Sequence, residues 1–163
     1  EIKGGTWGVM NGCSTDYCGR SVVVKGEHTV SISGGSFWTH QEALVVEGEK
    51  ARVRITGSEL KSNGAPCIVV RGGQETVING CSILRAMKEF STPAVRLEKG
   101  NTVLNGNSIT SMQNGIEITG ATAVDVVTGN LMTCTGEPVV RLDQAAPAEI
   151  LFENNVVRKP PAP

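Results

Sequence analysis

The strongest constraint on this chain is a six-residue phrase that recurs seven times. Each copy has an apolar residue, a polar residue, Gly or Asn, a small residue, a variable residue and a final apolar residue. The copies start at Ile2, Ile32, Ile55, Ile78, Leu104, Val127 and Phe152. Most successive copies are separated by one base unit of about 23 residues, a length typical of repeat proteins in which each unit stacks on the last. The intervals from Ile2 to Ile32 and from Ile78 to Leu104 are the longest, which indicates insertions there.

A second pattern lies between successive phrases, and its apolar residues are spaced two apart. These segments start at Val22, Leu44, Ile68, Val95, Ile116 and Val140. Alternation with period two predicts β-strands, and the Gly or Asn of each phrase supplies the positive φ that a tight corner needs. Leucine-rich repeats have units of similar length, but their Leu-x-x-Leu-x-Leu signature is missing. We therefore predict an all-β parallel solenoid of about seven coils, with three short strands per coil, stacked about 4.8 Å apart.

The composition narrows the class of protein further. The 163 residues carry a net charge of −1, which favours neither nucleic acid nor an anionic membrane as a partner. No apolar run approaches the ~20 residues of a membrane-spanning helix. The chain begins on a repeat, without Met, so we interpret it as a fragment of a longer chain. We expect one solenoid domain over residues 1–157 and a Pro-rich tail over 158–163.

The five cysteines bear on the cellular compartment. Cys67, Cys81 and Cys134 stand singly within repeats, as small buried residues do in a reducing environment. This favours an intracellular, cytoplasmic protein over a secreted one. Cys13 and Cys18 share one predicted loop and could form a disulfide or half of a metal site. No nearby His or Cys pair completes such a site, so we expect no metal and no other cofactor.

The fourth positions of the phrases form a column that carries a family resemblance. In order they are Gly5, Gly35, Ser58, Cys81, Asn107, Asn130 and Asn155. With this column the chain resembles the right-handed parallel β-helix, or pectin-lyase-like, superfamily, in its carbohydrate-binding and sugar-hydrolysis type repeats. The resemblance extends from Ile2 to Val157. It implies right-handed winding, as parallel crossovers almost always have, and stacked amide side chains at the corner.

The resemblance also implies three inward walls and two elaborated loops. The expected walls are Val24, Val46, Val70, Leu97, Ile118 and Leu142; Ile32, Ile55, Ile78, Leu104, Val127 and Phe152; and Trp7, Phe37, Leu60, Ile83, Ile109 and Met132. The extra residues of the two longest intervals are expected as insertions at 8–20 and 85–92. Both would link the third strand of a coil to the first strand of the next. In family members this loop borders the groove that holds polysaccharide.

The outward column of the first strands is the predicted binding face. It contains Val23, Val45, Val69, Arg96, Glu117 and Arg141. One interpretation is a ladder of ion pairs with the valines covered by the loop at 8–20. The other is a half-apolar, half-charged face that binds a partner protein. Trp38 should point outward beside His40, and Trp38 and Tyr17 are further candidates for a sugar or partner contact. His28 and His40 are expected to be surface residues in turns.

Catalysis has little support in the sequence. A pectate-lyase-like site would need several acidic calcium ligands, and only Glu117 stands in the outward column. A hydrolase would need paired carboxylates, but Asp125 and Asp143 are well separated in the repeat and expected on different sheets. No catalytic residue is therefore predicted. The sequence favours a non-catalytic scaffold or recognition module that binds a protein through the first sheet. The alternative is a polysaccharide-binding or polysaccharide-cleaving module, either a lyase or a hydrolase.

Overall fold

A computed structural model describes residues 7–120, 122–142 and 149–160, with backbone only at 122 and 123. The described chain is an all-β parallel solenoid of about six turns, which confirms the predicted fold class. Every strand pair that it contains is parallel, and none of its residues forms a helix. It therefore offers no helix that could cross a membrane. The right-handed sense of the winding stays a prediction from the crossover rule.

Each coil contributes one strand to each of three sheets. The first sheet holds β3 (Val22–Val24), β6 (Leu44–Val46), β9 (Ile68–Arg71), the start of β12 (Val95–Asn105), β14 (Ile116–Ile118) and β17 (Val139–Arg141). The second holds β1 (Trp7–Asn11), β4 (Thr29–Ser33), β7 (Arg52–Thr56), β10 (Glu75–Asn79), the end of β12, β15 (Thr122–Thr128) and β18 (Glu149–Glu153). The third holds β2 (Ser14–Cys18), β5 (Ser36–Thr39), β8 (Glu59–Ser62), β11 (Ser82–Arg85), β13 (Ser108–Ser111), β16 (Leu131–Cys134) and β19 (Val156–Arg158). The strand β12 runs without a break from the first sheet into the second.

The core is a stack of apolar residues in register, and most of the predicted walls are confirmed. The buried members are Val24, Val46, Val70, Leu97 and Ile118; Ile32, Ile55, Ile78, Leu104 and Val127; and Phe37, Leu60, Ile83, Ile109 and Met132. Each lies directly over its counterpart one coil away. Strand alternation sends every second residue inward, so the period of the sequence becomes a continuous apolar interior.

The corner between the second and third sheets repeats the same backbone conformation. Six glycines, from Gly12 to Gly129, take φ values between 54° and 64° at the third position of the phrase. In the last coil Asn154 takes that place with φ 56°. Glycine tolerates this conformation without steric cost, and Asn tolerates it better than most residues. The predicted role of the third position is confirmed from Gly34 to Asn154, whereas in the first coil Gly12 takes the place predicted for Gly4.

Inside this corner, three asparagine side chains form the predicted ladder. The Asn107 amide donates to the Ile78 carbonyl at 3.0 Å and to Asn130 Oδ1 at 2.9 Å. The Asn130 amide repeats the pattern one coil on, donating to the Leu104 carbonyl and to Asn155 Oδ1, both at 2.9 Å. Each Oδ1 also accepts a backbone N–H from the same corner one coil earlier. The donors are the N–H groups of Cys81, Asn107 and Asn130, and the acceptors are Oδ1 of Asn107, Asn130 and Asn155 respectively. Polar groups buried at the corner are thereby satisfied from coil to coil.

Toward the N-terminal coils the ladder changes into smaller residues. The Cys81 N–H donates to Asn107 Oδ1 at 2.9 Å, and Ser58 Oγ accepts the Gly35 N–H at 3.2 Å. At Gly35 no side chain fits, because a Cβ would lie 2.8 Å from the Cys13 carbonyl oxygen. Between Asn107 and Gly35 the column thus changes from amide to thiol, hydroxyl and hydrogen.

The first coil differs from the prediction. The phrase at Ile2–Trp7 was expected to open the solenoid, but residues 1–6 lie outside the described chain. The structure places its first corner at Gly12, and Asn11 and Ser14 pair in register with Ser33 and Ser36. Residues 8–20 are therefore not an insertion; they form the strands β1 and β2. Trp7, predicted in the core, is 75% exposed because β1 turns it outward.

The last coils also depart from the expected register. Val140, not Arg141, lies beside Glu117, and Arg141 lies beside Ile118. Leu142, predicted in the core, is 61% exposed. Phe152 keeps its predicted register beside Val127 but is 39% exposed, since no described coil stacks beyond it. Burial in a solenoid depends on the next coil as much as on the direction of the side chain.

Replacement of Asn130 by Ala tests the ladder. The change leaves the Leu104 carbonyl and the Asn107 N–H buried without their partners, which predicts a loss of roughly 2–5 kcal/mol in unfolding free energy. Urea denaturation followed by circular dichroism measures it. The matched control is Asn105→Ala, whose exposed amide donates to Asn79 Oδ1 at 3.1 Å. The control should lose less than about 1 kcal/mol; equal losses would contradict a special role for the inner ladder.

Candidate functional site

The outer face of the first sheet is not an open apolar strip. Val45 and Val69 are 0% and 1% exposed, and Val23 is half-buried. The sequence anticipated that a loop at 8–20 would cover these valines, or that they would stay exposed for a partner. Both expectations are wrong, because residues 8–20 form strands and the cover is made of charged side chains.

Arg71 is the centre of this cover. Its Nη2 lies 3.9 Å from Glu42 Oε1, its Nη1 lies 3.5 Å from Glu47 Oε1, and its Nε donates to Glu98 Oε2 at 3.3 Å. Glu42 and Glu47 stand before and after β6, so a guanidinium that reaches both extends across Val45. Arg20 donates to the same Glu42 at 2.8 Å. The aliphatic stems of such side chains shield apolar surface while their charges remain solvated.

The charged end of this face is an ion pair and not the expected Arg-Glu-Arg ladder. Arg96 Nη2 donates to Glu117 Oε2 at 3.2 Å, and Asn114 Nδ2 donates to Glu117 Oε1 at 3.1 Å. Arg141 falls outside the column because Val140 takes the position beside Glu117. With both oxygens occupied and 6% exposure, Glu117 is a poor candidate for a general base. The described residues contain no group of three or more His, Cys, Asp or Glu that could hold a metal ion.

A different surface gathers aromatic residues where the third sheet turns toward the first. We call Tyr17, Trp38, His40 and Lys61 the aromatic corner. The Tyr17 and Trp38 rings lie 5.0 Å apart at 34°, and those of Tyr17 and His40 lie 5.3 Å apart at 58°. Lys61 Nζ lies 3.6 Å from the centre of the Trp38 ring. Offset aromatic pairs and a cation over an indole are each favourable by about 0.5–1.5 kcal/mol.

Tyr17 reaches this position through a strained backbone. Its φ is 52°, a left-handed value that costs an L-residue about 1–2 kcal/mol. The register of β2 against β5 shifts between Thr15 and Cys18, so the strand carries a bulge there. Despite its contact with Trp38, Tyr17 remains 58% exposed. Local strain that displays a large aromatic side chain is the kind of feature found at binding sites.

The aromatic surface continues along the solenoid axis. The Gly64 N–H donates to the His40 carbonyl at 3.1 Å, which sets Gly64 one coil beyond His40. A Cβ at Gly64 would lie 3.6 Å from the ring of Phe90, so this ring covers the glycine. Phe90 is itself 47% exposed. Tyr17 and His40 thus lie in adjacent coils at this corner, and Phe90, from the loop two coils beyond His40, covers Gly64 in the coil between.

Phe90 belongs to the predicted insertion at 85–92. A buried arginine explains the shape of this loop. Arg85 occupies an inward position that Ser62 and Ser111 fill in the adjacent coils. Its guanidinium donates to the Phe90 carbonyl at 2.9 Å, to Thr92 Oγ1 at 2.8 Å and to the Met87 carbonyl. Burial lowers the pKa of Arg85. The longer loop supplies the oxygen acceptors that a buried cation requires.

The two histidines differ in burial, and so do the five cysteines. His28 was expected at the surface, but it is 6% exposed inside the corner that follows β3, so that expectation is wrong. His40 is exposed, as expected. All five cysteines are free, so Cys13 and Cys18 do not form the disulfide that the sequence left open.

Sequence reasoning found Tyr17 and Trp38 separately, and the structure brings them into contact. It missed Lys61, although Lys61 follows Trp38 by one repeat unit and therefore pairs with it in register. It also missed the stacking of Tyr17 on Trp38, because residues 8–20 were assigned to a loop.

Comparison with protein-family models, with curated proteins and with solved structures finds no match to this chain.

The thiols provide a test of burial. Burial raises the pKa of the Cys67, Cys81 and Cys134 thiols, whereas Cys13 and Cys18 are half-exposed. Ellman's reagent at neutral pH should therefore titrate two thiols rapidly and the other three only after denaturation. A Cys13→Ser, Cys18→Ser double variant should give no fast phase. Five fast thiols in the native protein would contradict the described core.

Proposed function

We propose that this chain is a non-catalytic recognition module of the pectin-lyase-like class. The parallel solenoid and its asparagine ladder support this class. Support for a non-catalytic role comes from Glu117, which is held by Arg96 and Asn114 and whose in-register neighbours are Arg96 and Val140, neither of them a carboxylate. A rigid rod built this way presents side chains at fixed spacing, since each coil is hydrogen-bonded to the next.

The proposed binding surface is the aromatic corner. The observation that carries this proposal is Tyr17, which keeps a left-handed backbone and a largely exposed ring while stacking on Trp38. A tyrosine with no binding role would be readily replaced by Asn or Gly, which tolerate that backbone better. A binding role for the exposed ring explains why a tyrosine occupies this strained position.

A polysaccharide chain is the ligand that this surface suits best. Sugar rings pack their apolar faces on exposed aromatic rings, and their hydroxyls need donors and acceptors nearby. His40, Gln41 and Asp16 are exposed around Tyr17 and supply such groups. Tyr17, His40 and Phe90 follow the axis, so an extended ligand would lie along the rod.

A partner protein is the second candidate. Trp, Tyr and Arg side chains dominate the energetics of protein interfaces, and the aromatic corner contains the first two in contact. The outer face of the first sheet, including Val23, Val45, Val69, Arg96 and Glu117, is a weaker candidate than the sequence indicated. Its central valines lie beneath the ion pairs of Arg71.

The fluorescence of Trp38 tests the glycan proposal. In a Trp7→Phe background Trp38 is the sole tryptophan, and hexamers of galacturonic acid, glucose and xylose serve as probes. We expect one of them to shift or quench the emission with saturation. Tyr17→Asn should weaken that binding roughly tenfold, corresponding to about 1.4 kcal/mol, without lowering thermal stability. The Trp7→Phe background without a further change is the reference with which Tyr17→Asn is compared.

Two outcomes would overturn the proposal. If no hexamer perturbs Trp38, or if Tyr17→Asn leaves binding unchanged, the ligand or the surface is wrong, and the protein partner becomes the leading candidate. If polygalacturonate with calcium develops the absorbance of unsaturated uronides, and Glu117→Ala abolishes it, the module is catalytic.

A further inference from the structure

The outer face of the second sheet carries a row of aliphatic side chains that nothing in the described chain covers. The row consists of Val77, Val103, Val126 and Leu151 in strict register, and Arg54 precedes Val77 in the same column. The inward residues beside them, such as Ile78 and Leu104, are fully buried, so these side chains point outward. The valines are half-buried and Leu151 is 43% exposed. We call this set the aliphatic row.

The two ends of the row carry opposite charge. Arg52 and Arg54 lie at one end, beyond which the same column continues through Ser31 to Val9, and Glu149 and Glu153 flank Leu151 at the other end. No ion pair among the described residues involves Glu149 or Glu153. Arg54 Nη2 lies 2.9 Å from Glu75 Oε1, but the arginine side chain is 63% exposed, and exposed pairs of this kind are weak. Arg54 is therefore able to exchange its partner.

A shallow cavity lies at the acidic end of the row, where Glu149 and Glu153 flank Leu151. Its volume is about 370 Å³, and it is lined by Val124, Val126, Glu149, Ile150 and Leu151. Four of these five residues are aliphatic and one is a carboxylate. That chemistry suits an arginine, whose methylene stem packs on apolar surface while its guanidinium binds a carboxylate.

We propose that the second sheet is an antiparallel dimer interface between two copies of this chain. A twofold axis through Val103 reverses the order of the row, so Val77 of one copy faces Val126 of the other. The same rotation places Arg54 of one copy opposite Leu151 of the other. Arg54 then lies at the mouth of the other copy's cavity, beside its Glu149. One rotation therefore matches apolar residue to apolar residue and both charged ends to their opposites, as an isologous interface requires.

The size of the face sets the expected affinity. The five coils from Arg54 to Leu151, spaced about 4.8 Å apart, make the contact roughly 20 Å long, and strands of about five residues at about 3.3 Å each make it roughly 16 Å wide. Its area, on the order of 300 Å² per copy, is smaller than the ~800 Å² per partner of a typical stable interface. The dimer should dissociate in the micromolar range or above and weaken with salt. It is independent of the aromatic corner, so the two proposals stand or fall separately.

Sedimentation velocity from micromolar to millimolar protein tests the dimer. We expect the dimer fraction to rise with concentration. Arg54→Glu and Glu149→Arg should each weaken association by about tenfold or more, since like charges then face each other. The double variant Arg54→Glu, Glu149→Arg should recover most of the loss, because it exchanges the partners. Lys88→Glu, an equal charge change on the exposed loop after β11, is the matched control and should have no effect.

Val103→Asp is an independent probe, because the axis brings the two carboxylates against each other. It should abolish the dimer, while circular dichroism verifies that the solenoid is intact. If Val103→Asp does not fold, sedimentation of the Arg54→Glu and Glu149→Arg variants, single and combined, tests the dimer without it. A protein that is monomeric at all concentrations overturns the proposal. So does a dimer that the single charge reversals leave unchanged or that the double variant fails to restore.

Discussion

The structure depends on the hydrogen bonds that join each coil to the next at the glycine corner. A solenoid has no long-range packing that could hold distant coils together, so every coil must be fixed by its neighbours. Parallel strand pairing supplies most of these bonds. At the corner, where strand pairing stops, Asn107, Asn130 and Asn155 take over and bond both to each other and to the backbone of adjacent coils. The same side chains therefore end one strand and set the stacking of the next coil.

This regular scaffold makes its exceptions informative. Most coils return to the first sheet through short turns of small residues. Two positions break the pattern: Tyr17, with its left-handed backbone at a bulge, and Arg85, a buried cation enclosed by its own loop. Both exceptions lie at the corner between the third and first sheets, and both bring an aromatic ring to the surface there. The binding role that we propose for this corner would account for both exceptions together.

The sequence predicted the fold well because the repeat, the strand alternation and the corner glycines are local signals with one geometric solution. It failed at the ends. In the first coil, Met10 and Thr15 fill positions taken elsewhere by Ile and aromatic or aliphatic residues, so residues 8–20 read as a loop. Near the last coils the observed register differs from the predicted one by one residue. Val140 therefore takes the position beside Glu117 that was predicted for Arg141. Where the apolar pattern of a strand is less distinct, the sequence does not determine which of its residues point inward.

The sequence by itself determined the winding unit, the corner conformation and the asparagine ladder, because each follows from residues spaced by one repeat. The tertiary structure decided which outward residues meet and which are covered. Val45 looked exposed by alternation, yet Arg71 from the next coil reaches across it to Glu42 and Glu47. Tyr17 looked like a loop residue, yet a bulge lays its ring on Trp38. Long side chains extend past their own coil, so their contacts depend on rotamers and on neighbouring coils that a pattern of inward and outward positions does not contain.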